Sequence, residues 1–144
     1  MKPFLDTNVL IYAVLSDDPR CPAAERLVAE GGTISVQVLN EFANVARGKL
    51  KWSWPDIEAT LALMRSRSRR VRNLLVSTHE AALVLAREHG LSFYDALIVA
   101  AAIEAGCDTL FSEDMQHGRT IGGLVIVNPF LEGAPSRTRA RDGF

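Results

Sequence analysis

Acidic side chains stand at widely separated points of the chain, each beside an apolar segment: Asp6, Glu41, Asp95 and the adjacent pair Glu113 and Asp114. Asp6 closes the triplet Pro3-Phe4-Leu5 and is followed by Thr7-Asn8, so it reads either as a helix N-cap or as a carboxylate facing a ligand crevice. Glu41 shares a helix face with Val38 and Val45 and is adjacent to Phe42. A carboxylate within an apolar stripe is costly unless it is paired or bound to a cation, the alternative being a position at the edge of the stripe that reaches water or Arg47. Asp95 opens a segment that is apolar nearly all round, Ala96 to Ile103, and Ser92 and Asp95 have capping-box spacing, a role that does not exclude cation binding. Asp114 and Glu113 follow Thr109-Leu110-Phe111-Ser112, as a polar turn or as acids at a strand's end. Gathered in one place, such carboxylates repel one another and call for a cation. Oxygen ligands select Mg²⁺ or Mn²⁺ over zinc. A cation held this way keeps part of its water and suits hydrolysis of phosphodiesters.

Whether the acids gather depends on the elements that carry them. Pro3 to Leu5 is expected to be a strand, Val9 to Leu15 a helix stopped by Asp17-Asp18-Pro19, and Pro22 to Glu30 a second helix ended by Gly31-Gly32. Thr33 to Val36 reads as a strand, and Val38, Phe42 and Val45 give helical spacing up to Gly48. Ser53-Trp54-Pro55 opens a helix through Ile57, Leu61 and Met64, and Leu74-Leu75-Val76 reads as a strand. A helix from Thr78 to Gly90, a helix capped by Ser92 and reaching Gly106, and strands at Thr109 to Phe111 and Leu124 to Val127 complete the order. Strand and helix alternate, which implies an α/β fold with a mainly parallel sheet and helices on its faces. Ligands of such sheets lie at the carboxyl ends of the strands, where Asp6 and Asp114 fall.

Composition narrows the classes. The chain has 144 residues, 48% of them apolar and 23% charged, which fits one globular domain and excludes a disordered chain. Lys and Arg total 16 against 17 acids, so binding of nucleic acid by bulk charge is excluded and only a local patch could serve. Two cysteines, Cys21 and Cys107, make no disulfide framework and point to a reducing, cytoplasmic setting. No apolar run approaches the ~20 residues of a membrane span, and Asp6 interrupts the first one, so neither a membrane protein nor a secreted one is expected.

The blocks Phe4-Leu5-Asp6-Thr7-Asn8-Val9-Leu10-Ile11-Tyr12, Ile34 to Phe42, Leu91 to Ile98 and Thr109 to Asp114, closed by Asn128-Pro129-Phe130, together resemble PIN-domain ribonucleases, in particular VapC-type toxins of bacterial toxin–antitoxin pairs. The resemblance covers roughly residues 2 to 130 and implies a PIN-domain fold over 1–130. It implies that Asp6, Glu41, Asp95 and Asp114 form a catalytic acidic site for Mg²⁺, with Mn²⁺ as substitute, and that Asn8 and Ser112 are polar helpers. It further implies an RNA substrate, a homodimer, and a cognate antitoxin that holds the enzyme inactive. Asp114 is preferred to Glu113 because the family's acid stands two residues after a Ser or Thr. A PIN fold that has lost activity and serves as an RNA-binding or scaffold protein is the alternative. Phosphorylation receivers resemble one another in a late lysine, and no Lys follows Lys51. Phosphatases with a nucleophilic aspartate carry Asp-x-Asp, and here the third residue is Asn8.

Other features carry less. Arg65, Arg67, Arg69, Arg70 and Arg72 read as a solvated face or as a contact for RNA phosphate or antitoxin. Trp52 and Trp54 read as packing, at the core or a dimer interface, or as a stacking platform. His79, His89 and His117 lack metal-ligand spacing. The segment 131–144, with Arg137, Arg139 and Arg141, is expected to be a disordered basic tail.

Overall fold

The computed structural model describes residues 1–131, and the expectation for the basic tail lies outside them beyond Leu131. The chain runs β1 (Pro3–Leu5), α1 (Thr7–Val14), α2 (Cys21–Glu30), β2 (Thr33–Ser35), α3 (Val36–Gly48), α4 (Trp54–Arg67), β3 (Arg70–Arg72), α5 (Val76–His89), α6 (Phe93–Glu104), β4 (Thr109–Phe111), β5 (Thr120–Ile121) and β6 (Leu124–Val127). The strands form one sheet in the order β3-β2-β1-β4-β6-β5, parallel throughout except for the antiparallel β5–β6 pair. This is the mainly parallel α/β architecture expected from the alternation of patterns.

Parallel pairing demands strands covered on both faces, and the middle residues of the central ones, Phe4, Ile34 and Leu110, are fully buried. The helix expected to be apolar all round is buried as such, with Ala96 through Ala102 all buried. Serine caps set three helix starts, since the hydroxyls of Ser35, Ser53 and Ser92 accept from the backbone N–H groups of Val38, Asp56 and Asp95. Gly90 ends α5 with φ +67°, and its N–H bonds to the Ala86 carbonyl. Gly32 is needed for closeness instead: a Cβ there would lie 2.8 Å from Leu5 Cγ.

Two local expectations are corrected. The strand expected at Leu74-Leu75-Val76 is instead β3, at Arg70–Arg72, paired to β2 with Ile34 opposite Val71. An edge strand needs only one inward residue and tolerates charge on the rest, so its apolar signal was a single valine. Leu74 packs on a satellite cluster with Ala82, Ala96, Leu97 and Ala100, while Leu75 and Val76 are exposed at 55% and 77%. The helix begins at Val76 rather than Thr78, because the Thr78 hydroxyl accepts from the Leu75 N–H at 3.2 Å. The short strand β5 escaped notice, although Gly122-Gly123, both at positive φ, is a hairpin signal.

The arginine run is divided by the fold. Arg65 and Arg67 lie in the last turn of α4, and Arg70 and Arg72 lie on the sheet edge. The Arg70 guanidinium donates to the Ala105 carbonyl at the end of α6. The tryptophans divide too: Trp52 packs edge-on against buried Phe42, whereas Trp54 is 53% exposed under the Arg47 guanidinium.

Candidate active site

Register brings the first two site residues together. Leu5 stands opposite Phe111 across β1 and β4, and the ladder continues one step through Asp6 N–H to Phe111 C=O and Ser112 N–H to Val127 C=O, both 3.0 Å. Asp6 and Ser112 therefore meet at the carboxyl ends of neighbouring strands, and the Ser112 hydroxyl donates to Asp6 Oδ2 at 2.7 Å. The other carboxylate oxygen accepts the Thr7 N–H at 2.7 Å, so Asp6 is both the N-cap of α1 and a member of the acidic site. Asn8, on the first turn of α1, reaches across to β4's loop. Its amide donates to Asp114 Oδ2 at 3.1 Å and lies 3.4 Å from Ser112 Oγ, and its carbonyl accepts the Glu113 N–H at 3.1 Å.

Glu41 arrives on the second turn of α3. Thr7 Oγ1 donates to one of its oxygens at 3.0 Å and Gln37 Nε2 to the other at 2.9 Å. Neutral donors thus fix the carboxylate, and Arg47 turns away to the Trp52 carbonyl. Sequence reasoning missed Thr7 and Gln37 as supports. The spacing of Gln37, four residues before Glu41 on one helix, was the available signal. Asp95 sits in the first turn of α6, half-buried, above the Ser92 cap.

Electrostatics couple the acids. Burial is the main reason the Asp6 carboxyl is pushed up to about 7; the Ser112 and Thr7 bonds oppose this, and the charges of Glu41 and Asp95 add to it. Asp95 is also raised, first by burial, with Ser92 opposing and Asp114 contributing. Asn8, Glu41 and Asp114 line a common cleft of about 320 Å³.

Glu113, next to Asp114, is used elsewhere. Arg20 Nη1 donates to both its oxygens at 3.0 Å and Tyr12 Oη donates at 2.6 Å. Arg20 also grips Asp18 and stacks 3.8 Å over the Tyr12 ring, which Phe130 contacts edge-on. Burial and the Glu113 bond push the Tyr12 phenol up to about 12. This clamp holds the β4 loop so that Asp114, not Glu113, borders the cleft; Arg20 and Tyr12 were not singled out from sequence because their role exists only across sequence separations of 93 and 101.

Among the described residues, no three acidic, histidine or cysteine side chains close into a ready-made metal cage. The donor chemistry nonetheless fits a hard divalent cation. Every carboxylate concerned is oxygen-only, neutral donors orient three of them, and among the described residues none of the four is in an ion pair.

A mainly parallel α/β sheet with carboxylates at the ends of β1 and β4 and on the flanking α3 and α6 defines the class. The PIN domain family model matches residues 4–121, and the chain belongs to that family. No curated protein matches the sequence. Solved structures share the fold. VapC20 of Mycobacterium tuberculosis, described as a sarcin–ricin loop cleaving toxin, is similar at 24% identity and a TM-score of 0.65, covering 78% of this chain and 92% of that one. A toxin–antitoxin complex from Klebsiella pneumoniae matches at 21% identity and a TM-score of 0.67, covering 90% and 98%. VapBC2 from Rickettsia felis, bound to a DNA fragment from its promoter, matches at 22% and 0.62, covering 88% and 97%.

Proposed function

We propose that this protein is a Mg²⁺-dependent endoribonuclease, with Mn²⁺ able to substitute, acting as the VapC-type toxin of a toxin–antitoxin pair in the cytoplasm. The observation that carries the reading is the gathering of acids at one end of the sheet: Glu41 and Asp114 border one cleft, the charges of Glu41 and Asp95 add to the burial that pushes Asp6 up to about 7, and the charge of Asp114 acts on Asp95. In this reading those four carboxylates hold the cation and Asn8 and Ser112 orient them. A divalent cation there supplies Lewis acidity, lowering the pKa of a water and offsetting charge that develops on phosphorus.

The chain's own residues prepare the site. Thr7 and Gln37 hold the Glu41 carboxylate by both oxygens, Ser112 and the Thr7 N–H hold Asp6, and Asn8 ties Asp114 to the same wall. The Arg20–Glu113–Tyr12 clamp keeps the Asp114 loop in place. Orientation of this kind matters because a misplacement of about 1 Å can cost about 10²-fold in rate. The substrate is RNA, with unpaired loops the accessible targets. A cognate antitoxin and a second copy of the chain are the partners of this reading, supported by the toxin–antitoxin complexes that share the fold. No described helix is long and apolar enough to cross a membrane.

The test is cleavage of a structured RNA, a sarcin–ricin loop fragment among the first probes, with Mn²⁺ and with EDTA, beside Asp95→Asn purified identically. Cleavage by wild type alone, and only with metal, is expected. Equal cleavage by Asp95→Asn overturns the site, and absence of cleavage while Mn²⁺ still binds points to a narrow RNA target.

A further inference from the structure

The acidic cleft does not end at Glu41. Glu41 and Asn44 are shared with a second hollow of about 420 Å³, lined also by Gln37, Asn40 and Tyr94. Positions 37, 40, 41 and 44 form one face of α3, and Tyr94 approaches from the start of α6. The two hollows adjoin at Glu41 and Asn44, with Tyr94 lining one and Lys49 the other.

The second hollow is lined wholly by side chains that can hydrogen-bond. Gln37 and Glu41 satisfy each other, but among the described residues the side-chain amides of Asn40 and Asn44 make no hydrogen bond. Each offers a donor pair and an acceptor to whatever enters. Tyr94 leads into the most deeply buried helix of the protein, yet its side is 62% exposed. Among the described residues its one ring contact is Phe93, at 6.0 Å between centroids and a 54° tilt. An exposed aromatic ring next to unpaired amides matches what an unpaired nucleobase needs, a stacking surface and partners for its edge. A peptide helix would need an apolar groove, which these amides do not provide.

We propose that this hollow is a nucleobase subsite, in which an unpaired base stacks on Tyr94 and presents its edge to Asn40 and Asn44, so that an adjoining phosphate falls at the carboxylates and a further one near Lys49. The inference rests on the nuclease reading for the identity of that phosphate. It names the residues that choose where a strand is cut: Tyr94 contributes grip that any base can use, and the two asparagines contribute preference among bases.

The experiment compares two strands, a 2′-O-methyl RNA octamer that resists cleavage and an octamer with the same backbone lacking every base. The ratio of their dissociation constants isolates the contribution of the bases and cancels backbone charge and the folded fraction. Wild type is expected to favour the base-bearing strand by roughly tenfold or more. Tyr94→Ala should remove about tenfold of that preference while leaving the abasic strand unaffected, and Tyr94→Phe should keep it, since stacking needs the ring and not the hydroxyl. Asn40→Ala with Asn44→Ala should change the ranking of oligo-A, oligo-C and oligo-U by severalfold. A preference that survives Tyr94→Ala overturns the subsite, as does wild type that binds both strands equally or neither. If the hollow instead seats an antitoxin segment, Tyr94→Ala weakens that complex and leaves the RNA ratio unchanged, which also overturns it. None of these readouts requires cleavage, so failure of the subsite is distinguishable from failure of the nuclease reading, which the Asp95→Asn comparison decides.

Discussion

Asp6 and Asp108 flank the same pair of strands at opposite ends, and their environments drive them in opposite directions. Asp6 follows β1 at the carboxyl ends of the sheet, and burial, with acidic neighbours, lifts its carboxyl to about 7. Asp108 precedes β4 at the amino ends. Burial pushes it up, but the Lys2 N–H, the Thr109 hydroxyl and the terminal amine outweigh this and hold it below the ordinary range. One end of the sheet satisfies its acid, and the other holds a buried acid beside further acids. The first arrangement stabilises the fold, and in the proposed reading the second trades stability for a cation site.

The sharpest way to break this contrast is through activity. Asp6→Asn and Asp95→Asn should each lower RNA cleavage by about 10²-fold or more with the fold retained, and Asp108→Asn should not change it. Asp114→Asn should cost more than Glu113→Gln, because Glu113 is engaged by Arg20. A rate assay on the purified variants checks all five, and a fully active Asp6→Asn would end the distinction between the two ends.

Stability without metal should move the other way. Between about pH 4 and 7 native Asp6 keeps a proton that the unfolded chain has released, so folding stability falls as pH rises through that window. Asn caps a helix about as well as Asp, so Asp6→Asn should gain roughly 2–4 kcal/mol over wild type at pH 8 and little at pH 4. Thermal melts in EDTA at both pH values read this as a higher Tm only at pH 8.

The same proton should compete with metal. Mn²⁺ binding to wild type should tighten by about tenfold per pH unit up to about 7 and level off above it, measured by titration calorimetry. Asp108→Asn marks the small end of the scale. It should cost under about 1 kcal/mol at neutral pH, because solvent screens a group so accessible, and the loss should vanish as acid protonates the wild-type carboxylate below about pH 4.

The legible parts of the fold were those with dense local signals. Short apolar-centred segments and helical stripes marked β1, β2, β4, β6 and most helices, and Ser53 and Ser92 marked two helix starts, whereas the Ser35 cap was read as part of a strand. The edge strand β3 was misplaced because Arg70-Val71-Arg72 carries one inward residue, while Leu74-Leu75-Val76 mimics a buried strand and serves a helix start and a satellite cluster. At the site, each acid alone had an ordinary explanation, and some of those explanations are also true: Asp6 caps α1 and Ser92 caps the helix of Asp95. Cap and site coincide because a strand's carboxyl end and the following helix's amino end are the same place in the chain.

What the sequence determined by itself was the order of most elements, the mainly parallel sheet they require and the acids at strand ends, since propensity, capping and periodicity act over a few neighbouring residues. What only the tertiary structure decided was company. The register of β1 on β4 set Ser112 against Asp6, the packing of α1 on α3 set Thr7 on Glu41, and the Arg20–Tyr12 clamp took Glu113 away and left Asp114 at the cleft. Those pairings join positions up to 106 residues apart, and burial, which decides whether a carboxylate is an ordinary cap or a strained one, is a property of the packed whole.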